Sequence, residues 1–99
     1  MPRVDEAELL RWRGLPANLL ISLLATHAKC DITFVPIKGK GTERWHASIG
    51  GWEYEFIVDG PKFYDTRAKR GGGGAVDLVM YLHHVDFRGA IELLRRLSV

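Results

Sequence analysis

The chain has 99 residues, of which 46% are hydrophobic and 26% are charged, and its net charge is +2 at pH 7. This length suits one globular domain, and this composition excludes a disordered chain. The weak positive charge permits a nucleic-acid partner without requiring one. A single cysteine, Cys30, excludes an internal disulfide and a zinc site built from several thiolates.

The chain shows no targeting or membrane-spanning signal. Its apolar runs are much shorter than the ~20 residues that cross a bilayer. The N-terminus carries acids rather than the basic residues that open a signal peptide. We therefore expect a cytoplasmic protein without membrane association.

Two helices are predicted at the N-terminus. Residues 5–13 place acids in the first turn of a short helix and apolar residues after them. Gly14 and Pro16 end this helix and open a second one over residues 16–28, whose leucines form one broad apolar stripe.

The middle of the chain predicts an antiparallel meander of about four strands. Apolar residues alternate with a period of two over residues 32–37, 45–49 and 53–58, and a short strand follows at 62–65. Gly50-Gly51 is typical of a two-residue hairpin turn.

The C-terminal part predicts a flexible segment and two helices. Residues 67–74 are basic and then glycine-rich, which predicts no regular structure. The next helix has a predicted apolar face made of Val76, Val79, Met80 and His83. Asp86 is predicted to cap a last helix, on which Glu92 pairs with Arg95 or Arg96. The predicted fold is therefore an α+β domain with helices at both ends of the meander.

The sequence shows neither a metal site nor a nucleophilic centre. The four histidines and Cys30 lack the spacing of metal ligands. Glu53 and Glu55 share one face of a strand and could bind a cation, although such a pair is more often the solvated face of a hairpin. We therefore expect no cofactor and no enzymatic activity.

The glycines at 71–74 allow two interpretations. They follow Lys69 and Arg70 and open a helix, where backbone amides can bind a phosphate. They lack the Gly-Lys-Ser/Thr ending of a nucleotide-binding loop. The segment is either a phosphate-binding loop or a connector.

Two basic clusters flank the predicted strands, at residues 38–44 and 60–70. The strands themselves carry the aromatic residues Trp45, Trp52, Tyr54, Phe63 and Tyr64. Cations bind a phosphate backbone and aromatic rings stack on unpaired bases, so this combination favours single-stranded nucleic acid. The same rings could instead be core side chains on one face of the sheet.

Several blocks of the sequence together resemble one family. They are Lys38-Gly-Lys-Gly, Arg44-Trp-His-Ala-Ser, Tyr54-Glu-Phe-Ile-Val-Asp-Gly, Lys62-Phe-Tyr, Gly74-Ala-Val-Asp-Leu-Val-Met and Asp86-Phe-Arg-Gly-Ala-Ile-Glu-Leu-Leu. In this order they resemble the CHC2-type zinc-binding domain of bacterial DNA primases and of primase-like proteins on plasmids and other mobile elements. The resemblance covers about residues 15–97 of a single domain, with residues 1–14 as an N-terminal extension.

The family holds zinc with a Cys-x-x-His pair on one hairpin and a Cys-x-x-Cys pair on the next. The corresponding regions here read His46-Ala-Ser-Ile-Gly-Gly-Trp and Tyr64-Asp-Thr-Arg-Ala-Lys-Arg-Gly, without a thiolate. The resemblance therefore implies a form that has lost its zinc. Packing of aromatic side chains would then replace the stabilisation by the metal, and the candidates are Trp45, Trp52, Phe56 and Phe63.

The resemblance implies a non-catalytic module that binds single-stranded DNA on its sheet and supports replication or priming. A primase catalytic domain, a helicase or a polymerase would be its protein partner. The predicted phosphate contacts are Lys38, Lys40, Arg44, Lys62, Arg67, Lys69 and Arg70. Trp52 and Tyr64 are predicted to stack on bases, while Gly73 and Gly74 let the strand approach the backbone.

Two alternatives from other classes stay open. One is a protein-interaction domain that docks on a helicase or polymerase, which an exposed apolar patch near His83–Phe87 or Trp12 would indicate. The other is a small ribonuclease or RNA-binding toxin-like protein with His46 as acid or base. For that function the sequence shows no second catalytic group placed beside His46.

Overall fold

In the computed structural model, which describes residues 4–36 and 41–99, two helices precede a five-stranded antiparallel sheet and two helices follow it. The elements are α1 (Glu6–Arg13), α2 (Ala17–Leu24), β1 (His27–Cys30), β2 (Thr42–Ile49), β3 (Trp52–Asp59), β4 (Lys62–Asp65), β5 (Arg70–Gly73), α3 (Ala75–His83) and α4 (Phe87–Leu97). The predicted α+β class is confirmed.

The sheet is a meander in which each strand pairs with the next along the chain, in the order β1-β2-β3-β4-β5. The β2–β3 hairpin turns at Gly50 and Gly51, with φ angles of 58° and 81°. Positive φ at both central residues is the geometry of the predicted two-residue turn. The prediction of about four strands is short by one strand within the described ranges.

The strand predicted over 32–37 is wrong for its described part, because residues 32–36 form a loop. The Asp31 carboxylate accepts hydrogen bonds from the Thr33 backbone N–H (2.9 Å) and hydroxyl (2.6 Å). Such a side-chain turn competes with strand pairing and here overrides the alternating pattern. The strand that pairs with β2 at this edge of the sheet is β1, whose first two residues belong to the segment predicted as helix, since α2 already ends at Leu24.

Residues 70–73 form strand β5 rather than the flexible segment predicted there. β5 pairs with β4 from Asp65↔Arg70 to Lys62↔Gly73. A Cβ atom on Gly71 would lie 2.7 Å from the Phe63 carbonyl oxygen, so this close pairing requires glycine. Glycine has a low strand propensity, which is why the pattern did not reveal the strand.

The helices cover one face of the sheet, and the core lies between the two layers. The largest fully buried side chains are Trp12, Phe56, Leu20, Ile21, Ile49, Leu78, Ile91, Leu94 and Val79. The Trp12 indole N–H donates to the Val99 carbonyl oxygen (2.8 Å), so α1 belongs to the same core. The buried residues of α3 are Ala75, Leu78, Val79 and Leu82. His83 is exposed, which corrects the predicted apolar face of this helix.

The last helix begins as predicted, because the Asp86 carboxylate accepts from the Gly89 backbone N–H (2.8 Å). The predicted pairing within this helix is wrong. Arg95 contacts Glu8 of α1, with nitrogen–oxygen distances of 2.7 and 2.8 Å. No helix in the described ranges has both the length and the apolar character needed to cross a membrane.

Candidate nucleic-acid interface

The predicted site residues that the structure describes lie in three places. Lys38 and Lys40 fall outside the described residues. Arg44, Lys62 and Tyr64 alternate with buried residues of their strands and so lie on the face away from the helices, here called the outer face. Trp52, Arg67, Lys69 and Arg70 lie at one end of the sheet, at the start of β3 and around the β4–β5 turn. Gly73 and Gly74 precede α3.

The outer face carries ion pairs and carboxylates. The Arg44 guanidinium donates to the Asp31 carboxylate at 2.9 and 2.5 Å. Hydrogen bonds from the Thr33 side chain, and then from Arg44, hold the pKa of Asp31 well below its usual range. Glu53 and Glu55 follow on β3, where Glu53 accepts from the Ser48 hydroxyl (2.6 Å). Arg44 is thus neutralised on a face that also holds further acids.

His46 has carboxylate neighbours that the sequence did not reveal. Its ring nitrogens lie 3.7 Å from Asp31 and 3.9 Å from Glu55, because β1 and β3 flank β2. Glu55 also accepts a hydrogen bond from the Thr66 hydroxyl (2.8 Å). The sequence shows no second catalytic group beside His46, and the fold is what brings these two carboxylates near its ring. Across residues 4–36 and 41–99 no group of three or more His, Cys, Asp or Glu side chains is arranged to hold a metal ion.

A shallow groove of about 400 Å³ opens at the end of the sheet that carries Trp52. We call it the Trp52 groove, and its lining residues are Trp52, Glu53, Tyr54, Asp65, Arg67, Ala68, Tyr81 and His84. The Trp52 side chain is 68% exposed, and none of the aromatic ring pairs found among the described residues includes it. The indole is therefore available to a ligand.

Asp65 holds one wall of this groove in place. Its carboxylate is buried, with 3% of the residue exposed, and accepts from the backbone N–H groups of Arg67 (3.0 Å) and Ala68 (3.1 Å) and from the Tyr81 hydroxyl. Burial, and then the hydrogen bond to Asp65, raises the pKa of Tyr81 to about 12. Tyr81 therefore stays a neutral donor at physiological pH.

The floor of the groove is aromatic. The Tyr54 ring stacks on Phe56 with 5.3 Å between centroids, and it meets the edge of Tyr81 at 6.4 Å. Burial raises the pKa of Tyr54, with a further contribution from the Asp65 charge. These ring contacts fix the floor before any ligand arrives.

The β4–β5 turn, which forms one side of the groove, carries cations. Arg67 is exposed and donates from Nη1 to the Glu53 carbonyl oxygen (3.3 Å), which places its guanidinium across the start of β3. Lys69 and Arg70 follow and are both exposed. The charge of Arg70 acts on the Tyr81 phenol by lowering its pKa, against the larger effects that raise it. The structure thus brings Trp52 together with Arg67 in one groove, and Lys69 and Arg70 follow Arg67 on the same turn.

Residues from two segments, 46–52 and 64–71, which the resemblance would align with the zinc-ligand pairs, line this groove. Trp52 comes from the first region, while Asp65, Arg67 and Ala68 come from the second. Phe56 and Phe63 are buried and pack edge to face, with centroids 6.3 Å apart, as expected for aromatic packing. Trp52 is wrong in that role because it is exposed.

The glycine segment offers little to a phosphate. The Gly73 N–H donates to the Asp77 carboxylate (3.3 Å), and the Gly74 N–H donates to the Pro61 carbonyl oxygen (3.0 Å). A carboxylate in the first turn of α3 already serves as the anion that a helix start attracts. We therefore place no phosphate here.

Sequence reasoning missed Tyr81 and His84 as neighbours of Trp52, and it counted Asp65 only as an acid among cations. Tyr81 and His84 are three residues apart, and this spacing alone predicts that they lie close to each other at the end of α3. The contact between the end of α3 and the start of β3 is not encoded in any local pattern.

Comparison with known proteins finds similarity over part of the chain. No protein-family model matches the chain, and no solved structure matches it. A segment of 41 residues is 44% identical to part of the "65 kDa protein" of Zymomonas mobilis. This segment is 41% of the chain and 7% of that protein. The chain therefore matches a short piece of a much longer relative, whose name states only a mass.

Proposed function

We propose that this chain is a non-catalytic module that binds single-stranded DNA in support of replication or priming. The resemblance to the primase zinc-binding domain supports a relationship to proteins of plasmids and other mobile elements, in a form without zinc ligands. The observation that most directly supports single-strand binding is the exposed Trp52 indole beside Arg67, with Lys69 and Arg70 on the same turn. An aromatic platform next to cations is the combination that single-strand binding uses.

The test is a titration of the protein with a short single-stranded oligonucleotide at several salt concentrations, followed by tryptophan fluorescence. Trp12 is buried and Trp45 half-buried, so quenching reports mainly on Trp52. We expect log K to fall with log salt by about 0.7 for each phosphate contacted. RNA of the same sequence, and recovery of the intact oligonucleotide, test the ribonuclease or RNA-binding alternative in the same experiment.

The matched variant is Lys69→Ala combined with Arg70→Ala. Removing two phosphate contacts should weaken binding to every sequence and reduce the salt slope by about 1.4. The control is Lys29→Ala, an exposed cation on β1 at the opposite edge of the sheet, which should bind like the unmodified protein. Unchanged affinity of the double variant would remove this turn from the interface.

A second candidate function is docking on another protein, and one observation favours it. Phe87 is 48% exposed and lines a cleft of about 240 Å³ together with Leu9, Val76 and Met80, and Leu10, which follows Leu9 on α1, is 70% exposed. Exposed apolar surface of this kind marks interaction sites. If the oligonucleotide fails to bind even at low salt, this candidate becomes the leading one.

A further inference from the structure

We propose that the Trp52 groove receives one unpaired base of the single-stranded DNA, stacked on the Trp52 indole, while Arg67 binds the adjacent phosphate. This inference rests on the proposed function and names the place where the strand binds. The DNA strand then runs over the end of the sheet and the β4–β5 turn, instead of across the outer face. Tyr64, which the sequence predicts as a second stacking residue, lies on that outer face and away from the path.

The shape and chemistry of the groove fit a planar base. Its volume of about 400 Å³ lies within the range of about 300–1,000 Å³ usual for small-ligand clefts. Trp52 supplies an exposed ring and the Tyr54–Tyr81 pair supplies an aromatic floor. His84, at the end of α3, adds ring nitrogens that can hydrogen-bond to a base edge.

The wall of the groove is organised in advance of binding. Asp65 fixes the backbone of Arg67 and Ala68 and the hydroxyl of Tyr81 within one hydrogen-bonded group. The Arg67 guanidinium is directed across the start of β3 by its bond to the Glu53 carbonyl oxygen. A pre-formed wall reduces the entropy lost when a flexible strand binds.

The distribution of charge distinguishes between the two possible paths of the DNA strand. On the outer face Arg44 is paired with Asp31, and the acids Glu53, Glu55 and Asp59 occupy one face of β3. At the groove, Arg67, Lys69 and Arg70 are exposed on the turn, Glu53 adds one acid to the lining, and Asp65 is turned inward to its hydrogen-bond donors. Lys62 on the outer face lies opposite Asp59, so the excess of cations is at the turn, which attracts a polyanion more strongly than the outer face does.

The experiment compares Trp52→Ala, Trp52→Phe, Arg67→Ala and Tyr64→Ala by anisotropy of a labelled single-stranded oligonucleotide. We expect Trp52→Ala to bind about tenfold more weakly, equivalent to about 1.4 kcal/mol, with an unchanged salt slope, because stacking releases no counterions. Trp52→Phe should keep most of the affinity. Arg67→Ala should weaken binding and reduce the salt slope by about 0.7.

The control is Tyr64→Ala, which removes an aromatic side chain 43% exposed on the outer face and should change affinity less than about twofold. If Tyr64→Ala weakens binding and Trp52→Ala does not, the groove is not the base site, while the proposed function stands. If the unmodified protein does not bind at all, both proposals fail. Thermal unfolding of each variant establishes that a loss of binding is not a loss of folding.

Discussion

Asp65 shows how much one residue contributes to the local structure. It is a buried carboxylate at the end of β4, and it accepts hydrogen bonds from two backbone amides of the next turn and from the Tyr81 hydroxyl. In the sequence it is one acid within a basic segment, which suggests a surface role. Burial of this carboxylate is tolerated because both of its oxygens accept hydrogen bonds.

Replacing Asp65 with Ala should lower the free energy of unfolding by about 2–4 kcal/mol, because it leaves three partly buried donors without this partner. Urea unfolding measures this change. Tyr81→Phe is the matched control, since it removes one donor and leaves the amides bonded, and should cost less than Asp65→Ala. A loss below about 0.5 kcal/mol for Asp65→Ala would contradict the role assigned to it.

At the scale of elements, β5 is the strand that local pattern could not reveal. Its three glycines have no side chains to alternate, yet they pair with Lys62, Phe63 and Tyr64 of β4. Gly71 lies against the Phe63 carbonyl oxygen and Gly72 against the Phe63 ring, at 2.7 and 3.0 Å from an added Cβ. The close pairing of β5 with β4 therefore requires residues without side chains at these positions.

Gly71→Ala should destabilise the protein by about 1–3 kcal/mol, because the new methyl group meets backbone that cannot move aside without disturbing the β4–β5 pairing. Gly73→Ala is the matched control in the same strand, where the nearest atom to the added Cβ is 3.9 Å away. It should be neutral or slightly stabilising. Equal effects in urea unfolding would contradict this account of β5.

At the scale of the whole molecule, the two ends of the described chain are joined. Glu8 in α1 forms an ion pair with Arg95 in α4, and the Trp12 indole donates to the carbonyl oxygen of Val99. Trp12 is fully buried. The helix that the sequence places in an N-terminal extension therefore closes the core that α3 and α4 share.

This contact makes stability depend on acid pH. The hydrogen bond from Arg95 lowers the pKa of Glu8 from its ordinary value of 4.5 to about 2. A lowered folded-state pKa stabilises the fold above the unfolded value, and this contribution is lost as pH falls from about 4.5 toward about 2. We expect Glu8→Gln to unfold less steeply with acid over this interval.

Thermal unfolding between pH 5 and pH 2.5 measures the difference, which is modest because the pair lies near the surface. Glu6→Gln, an exposed acid in the first turn of the same helix, is the control and should follow the unmodified protein. Parallel curves for Glu8→Gln and the unmodified protein would show that the contact does not stabilise the fold.

Local sequence signals are sufficient to predict the α+β class, the positions of α1 and α4, the Asp86 cap and the Gly50-Gly51 hairpin. These features depend on local periodicity, capping and turn chemistry, which neighbouring residues express directly. The sequence also predicts Trp52 and Arg67 as ligand-binding residues, which the structure places on one groove.

Other features depend on long-range packing and have no local signal. The strand β5, the burial of Asp65, the pairing of Arg95 with Glu8 and the neighbours of His46 all depend on contacts between distant parts of the chain. The division of the predicted site between the outer face and the Trp52 groove has the same origin. Side chains on adjacent strands face the same way only once the register is set, and register is a property of pairing, not of any one strand.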